Sequence, residues 1–139
     1  MFDLAQSLVL VLLGGMVFFP SVVAPVVFMS LPEAQAGVFL RAMFPRYYVF
    51  MIVLSLAGSV MYQLSEGAVV SVAALVCLGV GLSTLWVRQS LLPRINAARD
   101  VQLAGDVKAS EAFDRRHKLS VVINIVQLFA LVVLVFVSL

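Results

Sequence analysis

Five side chains able to do chemistry fall close together near one end of the sequence: Arg115, His117, Ser120, Asn124 and Gln127. At 3.6 residues per turn, His117, Ser120, Asn124 and Gln127 share one helix face, at offsets of 3, 7 and 10. An imidazole can move a proton or ligate a metal, and amides and hydroxyls can hydrogen-bond a solute in a dry medium. The same groups can equally hold one helix against another. His117 is the only histidine, so neither a two-histidine haem site nor a multi-histidine metal site can form within one chain. A titrating gate, a ligand completed by a second copy, and an anchor at the membrane boundary all remain readings of it. For Asn124 and Gln127 the choice is between helix packing and the lining of a solute path.

Other constellations are weaker. Met16, Met29, Met43, Met51, Met61 and Cys77 offer soft sulfur suited to copper(I), but without M-x-x-M or C-x-x-C spacing. Asp100, Asp106, Glu111 and Asp114 lie in one charged stretch that gives paired-carboxylate catalysis little support. The chain has no P-loop, dinucleotide fingerprint or nucleophile elbow. No cofactor, metal or enzymatic activity is expected, and the basic residues fit anionic headgroups better than nucleic acid.

The elements that must position these residues are membrane spans. Hydrophobic residues make up 63% of the 139, and charged ones only 12%. A soluble domain of this size could not hide so much apolar surface, so the bilayer is the solvent. The expected fold is all-α, a single domain of four transmembrane helices over residues 4–31, 46–64, 68–91 and 119–139. With Asp3 as its only early charge, the N-terminal segment reads as a retained span and not a signal peptide. Pro20 and Pro25 predict a bend between Phe19 and Ala24.

All nine Lys and Arg residues fall in or beside the first and third connections, and the second holds only Glu66. The positive-inside rule makes the basic side cytoplasmic, which sends both termini outward. The third connection, residues 92–118, is expected to form a short cytoplasmic helical hairpin. Pro93 kinks or restarts the helix, and Gly105-Asp106 supplies a stop and a new start. Glu111 with Arg115, and Asp114 with Lys118, are spaced for i,i+4 ion pairs. Small-residue strips suggest close helix contacts: Ser7, Gly14 and Ser21 on span one, Ser55 and Ser59 on span two. On span three the strip is Ala74, Cys77, Gly81, Thr84 and Arg88.

These residues also carry a resemblance. Gly15-Met16, the F-P-x-Y of Phe44, Pro45 and Tyr47, and the P-R of Pro93 and Arg94 occur in the order found in one family. So does F-x-R-x-H-x-L-S-x-x-x-N, which matches Phe113, Arg115, His117, Leu119, Ser120 and Asn124. The chain resembles the transmembrane protein 205-like family, domain of unknown function 4149, and its bacterial branch. The resemblance implies a four-span integral protein of the bacterial inner membrane and hints at transport. It carries over no catalytic residue. The leading expectation is a polar face, from His117 inward, that organises a helix interface or a solute path. The path would need a homo-oligomer or a membrane-protein partner. The alternative is an interaction protein that displays the basic hairpin, and a haem or copper redox protein comes last.

Overall fold

The structure is a computed structural model, and it describes residues 1–138. The described residues form four long helices, each apolar enough to cross a bilayer, and the protein is a multi-pass membrane protein. The first crossing is α1 (Phe2–Phe18), a π-helical turn over Phe19–Val23, and α2 (Ala24–Ser30). The second is one uninterrupted helix, α3 (Glu33–Glu66). The third is α4 (Val72–Trp86), a second π turn over Val87–Leu91, and α5 (Leu92–Leu103). The fourth is α6 (Val107–Ser138). The expected end of span four at Leu139 lies outside the described residues.

Both π turns end two residues before a proline. Ala24 N–H donates to the Phe19 carbonyl ahead of Pro25, and Leu92 N–H donates to the Val87 carbonyl ahead of Pro93. A proline cannot donate, and its ring crowds the carbonyl four residues back. Widening the preceding turn to five-residue bonds relieves the crowding while the chain stays helical. The expected bend at Phe19–Ala24 is therefore a π turn.

Pro45 causes no break. The second span was expected to begin at Arg46, but α3 begins at Glu33 and runs through Pro45. The carbonyl of Arg41, four residues back, simply goes without its usual helical donor.

Span three also departs from expectation at both ends. It starts at Val72 and not at Ala68, because Gln63 Nε2 donates to the carbonyls of Gly67 (3.1 Å) and Val69 (2.9 Å) and holds that backbone in a turn. Ser71 caps α4 by accepting from Ala74 N–H, and its own hydroxyl donates to Glu66. At the other end the helix does not stop at Leu91, since it restarts without a gap at Leu92. The stretch 92–118 forms the expected helical hairpin, α5 packed against the start of α6. It is the continuation of spans three and four, joined by a turn at residues 104–106. That turn is the one the sequence signals. Gly105 takes a φ of 100°, its N–H donates to Gln102, and Asp106 N–H reaches the Val101 carbonyl. Asp106 then accepts from Lys108 N–H at 2.9 Å to open α6.

The helix α3 is the hub. It packs most extensively on α4, then on α1, while α5 pairs with α6 and α6 closes the bundle against α1 and α4. Its core-facing residues are Tyr47, Tyr48, Met51, Ser55, Gly58 and Tyr62. Opposite lie Ala74, Cys77, Val80, Gly81 and Thr84, so the expected strip on span three does face the interface. The expected strip on span one does not. Ser7, Gly14 and Ser21 are all exposed, and the buried line is Ala5, Val9, Leu12 and Met16. In lipid the outer surface is as apolar as the core, so small residues alone do not mark the inner face. The fourth span shows how much surface meets lipid, for only 17% of its most apolar window is buried within the protein.

Candidate functional site

The polar side chains of α6 separate into two environments. Gln127 is buried, and its Nε2 lies 2.7 Å from Ser83 Oγ and 3.0 Å from Thr84 Oγ1 on α4, with the Val80 carbonyl at 3.5 Å. Both hydroxyls spend their own hydrogens on the carbonyls one turn back, Ser83 on Gly79 and Thr84 on Val80. They can therefore only accept from Gln127, which makes the amide nitrogen the group that faces them. Asn124, half-buried one turn earlier, reaches the hub helix α3. Its Nδ2 lies 3.4 Å from Tyr47 Oη and 3.8 Å from Met51 Sδ, both long contacts. Together the two amides tie α6 to α3 and α4 in the middle of the bundle.

Ser120 and His117 belong to a different setting. Ser120 Oγ donates at 2.7 Å to the His117 carbonyl on its own helix. His117 is exposed, and its ring stacks on Phe113 at 5.7 Å with 3° between planes. The expected single face from His117 inward therefore stops at Asn124. Below that level α6 packs on α5 through Phe113 and Arg116, and His117 sits one position round the helix from that seam. Arg115 is exposed and forms no hydrogen bond among the described residues. The spaced pairs Glu111–Arg115 and Asp114–Lys118 do not form ion pairs among the described residues, and all four side chains are exposed.

The ion pairs that do form are long-range. Arg41 Nη2 meets Asp100 Oδ1 at 2.8 Å, and Arg99 Nη2 meets Glu33 Oε1 at 3.1 Å, so the start of α3 is tied twice to α5. Arg99 also lies over the Phe113 ring at 5.3 Å, and Arg116 donates to the Arg94 carbonyl at 3.1 Å. Exposed pairs like these contribute at most about 1 kcal/mol each. The apolar seam beneath them, with Leu91, Leu92, Ile95 and Ala98 buried, carries more of the adhesion. The ion pairs fix its register.

The positions of the family resemblance fall along these contacts. Phe44 meets Phe19 edge-on at 5.4 Å, and Tyr47 stacks on Phe19 at 4.7 Å. The Pro45 carbonyl accepts from Arg88 Nε at 3.3 Å. Pro93 follows the second π turn, and Arg94 contributes its carbonyl to Arg116.

Sequence reasoning missed Ser83, the contact of Met51 with Asn124, and the pairs from Arg41 and Arg99. Ser83 was legible only through its neighbour Thr84, and a pairing between residues 59 positions apart has no local signal. It also missed Tyr62, whose buried hydroxyl makes no well-formed hydrogen bond among the described residues, with the Ser138 side chain a neighbour and the Phe2 ring edge-on at 5.6 Å.

A four-helix polytopic membrane protein, with interior amides that cross-link its helices and a charged extension at one end, is the class that fold and contacts define. The chain belongs to the family described as domain of unknown function (DUF4149), whose profile matches residues 8–103. The match takes in the first three crossings and α5, and the motif from Phe113 to Asn124 lies beyond it. No curated protein and no solved structure gave a match to this chain.

Proposed function

We propose that this protein is a non-enzymatic membrane scaffold of the bacterial inner membrane. Its working part is the charged projection built from the start of α3, α5 and the start of α6. Both termini face the periplasm, and the projection faces the cytoplasm and engages a membrane-protein or peripheral partner. The observation that carries this reading is the bracing of the projection: Arg41–Asp100, Arg99–Glu33 and Arg116 on Arg94 join three helix ends into one body. A braced surface loses little entropy when a partner docks on it. The exposed charges Lys108, Glu111, Asp114, Arg115 and Lys118 are left free for that partner. A solute path along the α6 strip has less support, because the Gln127 and Asn124 amides already donate to Ser83, Thr84 and Tyr47.

The test is photo-crosslinking in intact cells, with the reactive side chain placed at Glu111, Asp114 or Lys118. The reading expects one discrete adduct shared by these positions and missing from lipid-facing Val53. Charge reversal at Lys108 and Arg115 should remove the adduct, and the pair Asn124→Leu and Gln127→Leu should leave it in place. An adduct that survives charge reversal and disappears with the two leucines would transfer the function to the interior strip.

A further inference from the structure

We propose that the groove between α3 and the second π turn is a binding site for the phosphate of an anionic phospholipid headgroup, held by Arg46 and Arg88. The groove has a volume of about 480 Å³ and is lined by Ala42, Pro45, Arg46, Val49 and Arg88. Its two charged groups are both cations, they come from different helices, and no carboxylate lines it. The two ion pairs among the described residues use Arg41 and Arg99, so neither groove arginine is neutralised by a carboxylate.

Each guanidinium is positioned by a single backbone carbonyl. Arg88 is half-buried and donates through Nε to Pro45, and Arg46 donates through Nη1 to Ala42 at 2.6 Å. Arg88 thereby keeps both terminal nitrogens free in the fork geometry that suits phosphate oxygens.

Depth and lining decide for a lipid over a soluble anion. Arg46 and Glu66 stand twenty positions apart on one unbroken helix, which is about 30 Å. That is about the thickness of the hydrocarbon core, so with Glu66 at one surface Arg46 lies at the headgroup layer of the other. The remaining lining is apolar. From the groove the exposed side chains of Val49 and Val53 continue along α3 toward the membrane centre, where an acyl chain would lie. Basic pockets between spans at the cytoplasmic boundary match this chemistry. A free phosphate would use the two arginines and leave the apolar wall wet.

The experiment is native mass spectrometry of the full chain released from detergent, titrated with phosphatidylglycerol or phosphatidylcholine. Two surface arginines at about fivefold each predict a preference of about twenty-five-fold for the first bound phosphatidylglycerol. Arg46→Gln with Arg88→Gln should abolish that preference. Ala42→Phe, which fills the groove and keeps both charges, should do the same. A triple change at Lys108, Arg115 and Lys118 to Gln removes more charge outside the groove and should leave the preference in place. Circular dichroism checks that each variant remains helical. Equal binding of the two lipids by the unaltered chain would overturn the proposal. So would a preference that survives in the groove variants, or displacement of phosphatidylglycerol by an equal concentration of inorganic phosphate.

Discussion

At the scale of single residues, the interior amides and the buried tyrosine make opposite predictions. Gln127 satisfies its donors on Ser83 and Thr84, two hydroxyls that cannot turn away without breaking their own helix bonds. Polar contacts of this kind contribute about 0.6 kcal/mol on average and up to about 1.7. Gln127→Leu should lower stability by that amount, read as an earlier midpoint in a detergent unfolding titration. Tyr62 is the reverse case, since its buried hydroxyl makes no well-formed hydrogen bond among the described residues, although the Ser138 side chain is a neighbour. Removing an unsatisfied group recovers its desolvation cost. Tyr62→Phe should therefore leave the midpoint unchanged or raise it, and a clear loss would show a partner for the hydroxyl. The sequence made the amides of α6 visible, because polar residues in an apolar run stand out. It could not show that His117 leaves their face, because that depends on where α5 lies against α6.

At the scale of elements, the glycines report which helix faces meet. A methyl added at Gly81 would lie 2.7 Å from Leu56 Cδ2 and 3.0 Å from Ser55 Oγ across the α3–α4 contact. One added at Gly14 meets nothing within 4 Å. Gly81→Ala should cost about 1 kcal/mol or more through crowding, and Gly14→Ala should be neutral or slightly favourable in a helix. The same unfolding midpoints measure both, and equal effects would put the wrong face of α1 inside. Here the sequence was only half legible. The turn at Gly105-Asp106 and the disturbances before Pro25 and Pro93 follow from local chemistry. The buried line of α1 does not, because Ala5, Val9, Leu12 and Met16 are no more apolar than the residues facing lipid. The start of α3 was hidden for a related reason. Arg41, Pro45 and Arg46 look like a connection, and only long-range partners on the second π turn and α5 hold this stretch in the bundle.

At the scale of the whole molecule, the second, third and fourth crossings extend past their apolar stretches at the same end. A helix of 34 residues such as α3 is about 51 Å long, against a core of about 30 Å. About 20 Å of α3 is therefore left for the projection. In the proposed orientation, which rests on the positive-inside rule, that end faces the cytoplasm. In a background with Cys77 replaced by alanine, an impermeant maleimide should label Lys108→Cys only from the cytoplasmic side and Ala68→Cys only from the other. The opposite pattern would invert the topology and remove the projection from the cytoplasm. The membrane class and the number of crossings were open to reading from composition and charge placement. The bracing of the projection was not, since it joins Glu33 and Arg41 to residues more than fifty positions away. That bracing is the centre of the account, and pulsed electron-spin distance measurement tests it most directly. With spin labels at the exposed positions Gln35 on α3 and Ala97 on α5, in lipid nanodiscs, the account predicts one narrow distance distribution. A broad or multiple distribution in the otherwise unaltered chain would contradict it, because α5 would then move freely against α3.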